Sequence, residues 1–198
     1  MRYDLTHIVS WVAHNSRVLD LGCGDGMFLS ALEKERGVRG LGIELDPENL
    51  IAAARLNIDV IQQDIDQGLD NFPDKSFDTV VMAQALQVLH RPHKVLNDMV
   101  RIGREAIVTF PNFGHWRCRV YLGVMGRMPV SRVLPYSWYD TPNIHFCTLK
   151  DFEALCDELN IEIIARDFIA AESQGILARW LPNLFGVTAV YRIRSRTT

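Results

Sequence analysis

The sequence predicts an α/β domain: a parallel sheet with helices on both of its faces. Three observations lead there. Apolar stretches of strand length alternate with stretches of helical spacing, and repeated strand–helix–strand crossovers require parallel neighbours. Phe77-Asp78-Thr79-Val80-Val81-Met82-Ala83 is apolar almost throughout, as a strand buried on both faces must be. Val18-Leu19-Asp20-Leu21-Gly22-Cys23-Gly24-Asp25-Gly26 runs a short strand into glycine at every second position. Such a turn suits a backbone that reaches positive φ or lies directly against a ligand.

The elements follow in order. Leu5, Ile8, Val9 and Val12 recur at helical spacing, so residues 4–14 form an amphipathic helix beside the ligand site. After the glycine turn, Phe28, Leu29 and Leu32 mark a helix that stops at Gly37, a C′ glycine. Gly40-Leu41-Gly42-Ile43-Glu44 is the second strand. Asp46 then caps a helix with Pro47 at its first position, and Leu50, Ile51 and Ala54 form its buried face. Residues 58–61 are the third strand and 77–83 the fourth. Pro92 opens a helix carrying Val95, Leu96, Met99 and Val100 and closed by Gly103, and residues 106–110 are the fifth strand. Thr148 and Asp151 start the last long helix, with Phe152, Leu155, Cys156 and Leu159 facing inward. Residues 161–170 and 187–194 are two closing strands. The apolar stretch 180–186 between them is either buried or an extension of an exposed face.

Composition sets limits. The 198 residues suit one domain, 1–198, with a sizeable core, and 48% hydrophobic with 23% charged residues is ordinary for a globular chain. No apolar run approaches the ~18 to 20 residues of a membrane span, and the first residues lack a signal peptide's apolar segment. The expectation is a cytoplasmic protein with no membrane association. Cys23, Cys118, Cys147 and Cys156 form no CxxC pair, so neither disulfides nor a zinc site is expected. His90 and His93 lack a companion ligand set, and no metal is assigned. A net charge of −3 disfavours a general nucleic-acid binder.

The glycine turn distinguishes two ligand classes. In the dinucleotide fingerprint GxGxxG the third glycine comes three places after the second; that place is Met27 here, and the third glycine is Gly26. Asp20 puts a carboxylate where a dinucleotide site welcomes pyrophosphate, so a cationic ligand is favoured. This D-x-G-x-G-x-G pattern resembles the first motif of class I S-adenosylmethionine-dependent methyltransferases. Glu44 ends the second strand 22 positions after Gly22, where such a site places the acid for the ribose hydroxyls. In the polar loop after the third strand, Asp64 is the candidate for the adenine amino group and the Ile65 N–H for a ring nitrogen. Of Asp64 and Asp66, one is expected to be only a solvated loop residue. Residues 84–89, beginning with Gln84, should face the methionine end. The candidate cofactor residues are thus Asp20, Gly22, Cys23, Gly24, Gly26, Glu44, Leu45, Asp64, Ile65 and Gln84.

One segment, about 111–147, stands apart as an insertion. It holds four arginines, and no acid occurs between Glu105 and Asp140. Trp116, Tyr121, Tyr136, Trp138 and Tyr139 add aromatics. Arginine with Trp, Tyr and Met is the composition of interfaces, so the segment reads as a docking surface or a lid over a substrate carboxylate.

Residues 19–26, 84–92, Thr109-Phe110-Pro111-Asn112-Phe113-Gly114-His115-Trp116-Arg117 and Leu134-Pro135-Tyr136-Ser137-Trp138-Tyr139-Asp140-Thr141-Pro142-Asn143 resemble the MetW family of methionine biosynthesis proteins. The resemblance implies a class I methyltransferase, Rossmann-like fold: a mostly parallel seven-stranded sheet with an antiparallel closing strand. It also implies S-adenosylmethionine or S-adenosylhomocysteine as ligand, and joint action with a homoserine O-acyltransferase. The alternative is methyl transfer to a small-molecule acceptor. Enzymes methylating exocyclic base amines carry a [D/N/S]-P-P-[Y/F] motif after the fourth strand, where this chain reads Ala83-Gln84-Ala85-Leu86, so no nucleic-acid substrate is expected.

Overall fold

The computed structural model describes residues 3–131, 134–170 and 180–196. Met1, Arg2 and, within the insertion, Arg132 lie outside them. Chain order runs α1 (Tyr3–Val9), β1 (Arg17–Leu21), α2 (Met27–Arg36), β2 (Arg39–Glu44), α3 (Pro47–Arg55), β3 (Val60–Gln62) and β4 (Phe77–Ala83). It continues through α4 (Pro92–Ile102), β5 (Gly103–Pro111), α5 (Trp116–Met125), α6 (Leu149–Glu158), β6 (Ile161–Ala170), α7 (Pro182–Phe185) and β7 (Gly186–Ser195).

The strands form one seven-stranded sheet in the order β3-β2-β1-β4-β5-β7-β6. Strands β1 to β5 pair in parallel, and β7 is antiparallel to both β5 and β6. The expected antiparallel closing strand is therefore β7, slotted between its neighbours. Period-2 alternation sends side chains to two cores. Leu19 and Leu21 of β1, Val80 and Met82 of β4 join Leu96, Met99 and Phe152 on one face. Val18, Val81 and Ile107 join Ile8, Phe28 and Leu29 on the other. On the first face Phe110 and Tyr191 stack at 5.9 Å with Phe152 against both, and the Tyr191 hydroxyl donates to Glu153 at 2.8 Å.

Helix starts follow their caps. Asp46 accepts from the Glu48 N–H ahead of α3, and Thr148 and Asp151 form a reciprocal capping box on α6, completing what the sequence suggested in part. Gly37 ends α2 with φ 64°.

Several expectations need correction. Helix α1 stops at Val9, and Val12 reaches the core from the turn that follows. On α3 the buried residue is Ala53, whereas Ile51 is exposed and so is Ala54. The helix sits near the sheet edge close against the glycine turn, where only a methyl fits. Strand β3 is confined to residues 60–62, with Ile58 buried just ahead of it. Strand β5 begins directly at Gly103, the cap of α4, three residues earlier than expected. The insertion holds a helix, α5, that the sequence reading did not assign. In the stretch 180–186, Trp180 is 82% exposed, so the outer-face alternative holds at its start.

Candidate functional site

The carboxyl ends of β2, β1 and β4 meet where the chain reverses direction across the sheet, which is where open α/β sheets bind ligands. Asp20 lies in β1 opposite Gly42 and Val81 and is almost completely buried. Gly22, Gly24 and Gly26 all have positive φ, 75°, 56° and 75°. They differ in what surrounds them. A Cβ on Gly26 would come within 2.9 Å of the Ala53 Cβ, so that glycine serves close packing of α3 on the turn. A Cβ on Gly24 would meet nothing within 4 Å among the described residues, leaving room for a ligand.

The backbone of the turn is partly committed already. Gly22 and Cys23 both donate their N–H to the Ile43 carbonyl, at 2.8 and 3.0 Å. The Cys23 side chain is buried against β2, where a Cβ on Gly42 would lie 2.5 Å from its Sγ. Burial, and then the charges of Asp20 and Glu44, push its thiol up to about 12. The same charges make this corner attractive to a cation.

Glu44 is held from three directions. One carboxylate oxygen accepts from Gly24 N–H at 2.8 Å; the other accepts from Leu45 and Asp46 N–H at 2.8 and 3.0 Å. A carboxylate has about four lone-pair sites, so acceptor capacity is left for a diol. Leu45 is 57% exposed beside it.

Asp64 caps the short turn Ile65–Gln67, accepting from Asp66 N–H at 3.0 Å and from the Gln67 amide at 3.2 Å. Ile65 is buried. Asp66 accepts from His90 and Arg91 N–H, both at 3.0 Å, and ties this loop to the start of α4. Neither aspartate is therefore merely solvated, contrary to expectation.

After β4, Gln84 takes φ 56°, a conformation rare outside glycine and common at functional turns. Thr109 anchors it, its carbonyl and hydroxyl accepting from Gln84 N–H at 2.9 and 3.1 Å. Ala85 packs toward Gly22, where an added Cβ would stand 3.4 Å away.

Residues that the sequence reading named only within longer segments complete the surround. The Gln87 amide donates to the Gln84 carbonyl at 2.7 Å, and the Gln87 carbonyl accepts from Ile144 and His145 N–H at 3.0 and 3.1 Å. The far end of the insertion thus lies over the β4 loop. Asn112, buried at the end of β5, donates to the Asn183 and Gly186 carbonyls and accepts from Gly114 N–H. Asn183 in turn accepts from Leu149 N–H at the start of α6. Between them these two amides, each with donors and an acceptor on one head, tie β5, α6, α7 and β7 together, and no local pattern announces it.

Among the described residues no group of three or more His, Cys, Asp or Glu is placed to hold a metal, and no helix is long and apolar enough to cross a membrane.

The profile of the family described as methionine biosynthesis protein MetW matches residues 2–193. The chain belongs to the MetW family. It is 36% identical over 200 residues to the bifunctional methionine biosynthesis protein MetXA/MetW of Rhodopirellula baltica, covering 96% of this chain and 32% of that one. The chain therefore spans about a third of that relative's length. Among solved structures it is similar to a Mesorhizobium loti S-adenosylmethionine-dependent methyltransferase, TM-score 0.68 at 15% identity, covering 96% of each chain. It is also similar to the [4+2]-cyclase SpnF, TM-score 0.69 at 16% identity, covering 98% of this chain and 82% of that one. These likenesses establish a class I methyltransferase fold, and the pair differs in chemistry, so the fold alone names no reaction.

Proposed function

We propose that this MetW-family chain binds S-adenosylmethionine or S-adenosylhomocysteine in the groove of residues 20–26, Glu44, Asp64 and Gln84, and works in methionine biosynthesis beside a homoserine O-acyltransferase. The observation that carries the ligand is Glu44, fixed by three backbone N–H groups next to the open face of Gly24. Its charge and that of Asp20 suit a ligand that carries an ammonium and a sulfonium and no phosphate. Support for the partner comes from the relative that joins MetXA and MetW in one chain.

Calorimetric titration of the purified protein with each ligand tests the groove. Gly24→Val should abolish binding by filling the open face, and Glu44→Ala should cost about 1.5 to 3 kcal/mol through lost bonds to a charged acceptor. Unchanged titrations in both variants would remove the site. A second reading, methyl transfer to a small acceptor, draws on Ile144 and His145, bonded over the loop expected at the methyl end. Sustained turnover of S-adenosylmethionine by the isolated protein on a small acceptor would establish that reading.

A further inference from the structure

Helix α5 has little cover among the described residues. Of its ten residues only Cys118 is buried. At 100° per residue the apolar side chains after it take up more than half of the circumference, Val120 and Val124 on one side, Tyr121 and Met125 next to them and Leu122 beyond, while Arg119 and Gly123 fall on the remainder. Val124 is 74% exposed and Met125 62%. Ten residues are too few for a helix to be stable in water on propensity alone, and an apolar arc this wide belongs against a partner. Gly123 adds to the argument. Glycine inside a helix is destabilising, and its added Cβ would meet nothing within 4 Å among the described residues, so no described neighbour accounts for it.

Beside α5, residues 129–131 leave a groove of about 510 Å³, lined in part by Trp116, Arg117, Val120, Tyr121, Val124 and Pro129. The Arg117 guanidinium stacks over the Trp116 ring, 5.5 Å from its centroid, and Arg127 follows the end of the helix, both exposed. With no acid between Glu105 and Asp140, this face is cationic at its rim and apolar at its centre. A second copy would set guanidinium against guanidinium. A lipid surface requires an apolar side clear of charge, and on α5 Arg117 falls on the same side as Val120, Val124 and Tyr121.

We propose that α5 inserts into an apolar cleft, rimmed by carboxylates, on the acyltransferase; this rests on the partnership proposed above. The helix then gains outside the chain the burial it lacks within it, and Arg117 and Arg127 meet the carboxylates of the rim.

The test titrates the full chain with purified homoserine O-acyltransferase from the same organism at several salt concentrations. Val124→Glu, at an exposed position, should keep the unfolding midpoint and the S-adenosylmethionine titration of the unaltered chain while weakening the complex at least about 30-fold. Arg117→Glu with Arg127→Glu should weaken it about 10-fold and flatten its salt dependence. Ile51→Glu, also exposed but on α3, should leave it unchanged. Absence of any complex with the unaltered chain overturns the partnership and this surface together. A complex equally strong in all variants, or weakened as much by Ile51→Glu, overturns the surface alone. Self-association, or binding to phosphatidylglycerol vesicles, that Val124→Glu abolishes while the acyltransferase complex persists assigns the helix elsewhere and also overturns the proposal.

Discussion

Helices α4 and α5 follow one another in the chain, flank the same strand and differ by one residue in length. Yet α4 buries Val95, Leu96, Asp98, Met99, Val100 and Ile102, while α5 buries Cys118 alone. The apolar residues of α4 fall on one stripe, so a single sheet face covers them all. Those of α5 spread over more than half of the circumference, wider than a single sheet face covers. Apolar content is thus similar in purpose only when its spacing matches one available partner. In α4 that partner is the sheet.

The comparison predicts unequal costs for truncation. Leu96→Ala should lose about 2 to 5 kcal/mol in denaturant unfolding, from lost transfer energy and the cavity left behind. Val124→Ala should stay within about 0.5 kcal/mol in the isolated chain. Equal losses would mean that α5 is packed within its own chain and the contrast is void.

The same contrast between inward and outward roles divides the glycines of the first turn. Gly26→Ala should destabilise by about 1 to 3 kcal/mol, because its methyl meets Ala53 on top of an unfavourable φ. Gly24→Ala should cost only the left-handed backbone term, about 1 to 2 kcal/mol. Thermal unfolding of the two proteins side by side orders them. A larger loss at Gly24 would reverse the roles.

Capping sharpens the account of how the insertion is anchored. Thr148→Ala removes the hydroxyl of the capping box where the insertion re-enters the fold, and should lower stability by about 1 kcal/mol.

The smallest effect near neutral pH concerns three thiols of the fold, Cys23 and Cys156 buried and Cys147 half-buried. Burial is the first cause that raises Cys23, Cys147 and Cys156 from an ordinary value of 9.0 to about 12. Unfolded thiols release their protons first, so this contribution is complete below pH 9 and is lost as pH rises from 9 toward 12. The unfolding midpoint should fall across that window, less so in Cys156→Ala than in the unaltered chain. In the native protein Cys23 should react slowly with iodoacetamide at pH 8, since the thiolate is the nucleophile.

Much of the site was legible because its residues are consecutive or fall at the end of a strand. Asp20 and the three glycines occupy one turn, and Glu44 lies where β2 must end beside it. Backbone conformation accounts for the glycines and the cationic ligand proposed for the groove suits the acids, and both act over a few residues. The expectation that one of Asp64 and Asp66 is only solvated failed for the converse reason: the partners of Asp66, His90 and Arg91 N–H, lie 24 and 25 residues away. The face of α3 was misread because amphipathic spacing reports which residues are apolar, whereas the turn at Gly26 decides which of them has room.

By itself the sequence determined the strands and the helices outside the insertion, the parallel crossovers, the glycine turn and the acid that ends β2, because periodicity and turn chemistry are local. It also carried the family. Only the tertiary structure decided that β7 lies between β5 and β6, that Asn112 and Asn183 join β5, α6 and α7, and that Gln87 holds the far end of the insertion. Those arrangements depend on pairings between residues far apart in the chain, and a hydrogen bond across 71 residues leaves no periodic trace in either partner. The exposure of α5 belongs with them: a helix reads as apolar from its own residues, but whether anything covers it depends on the rest of the fold.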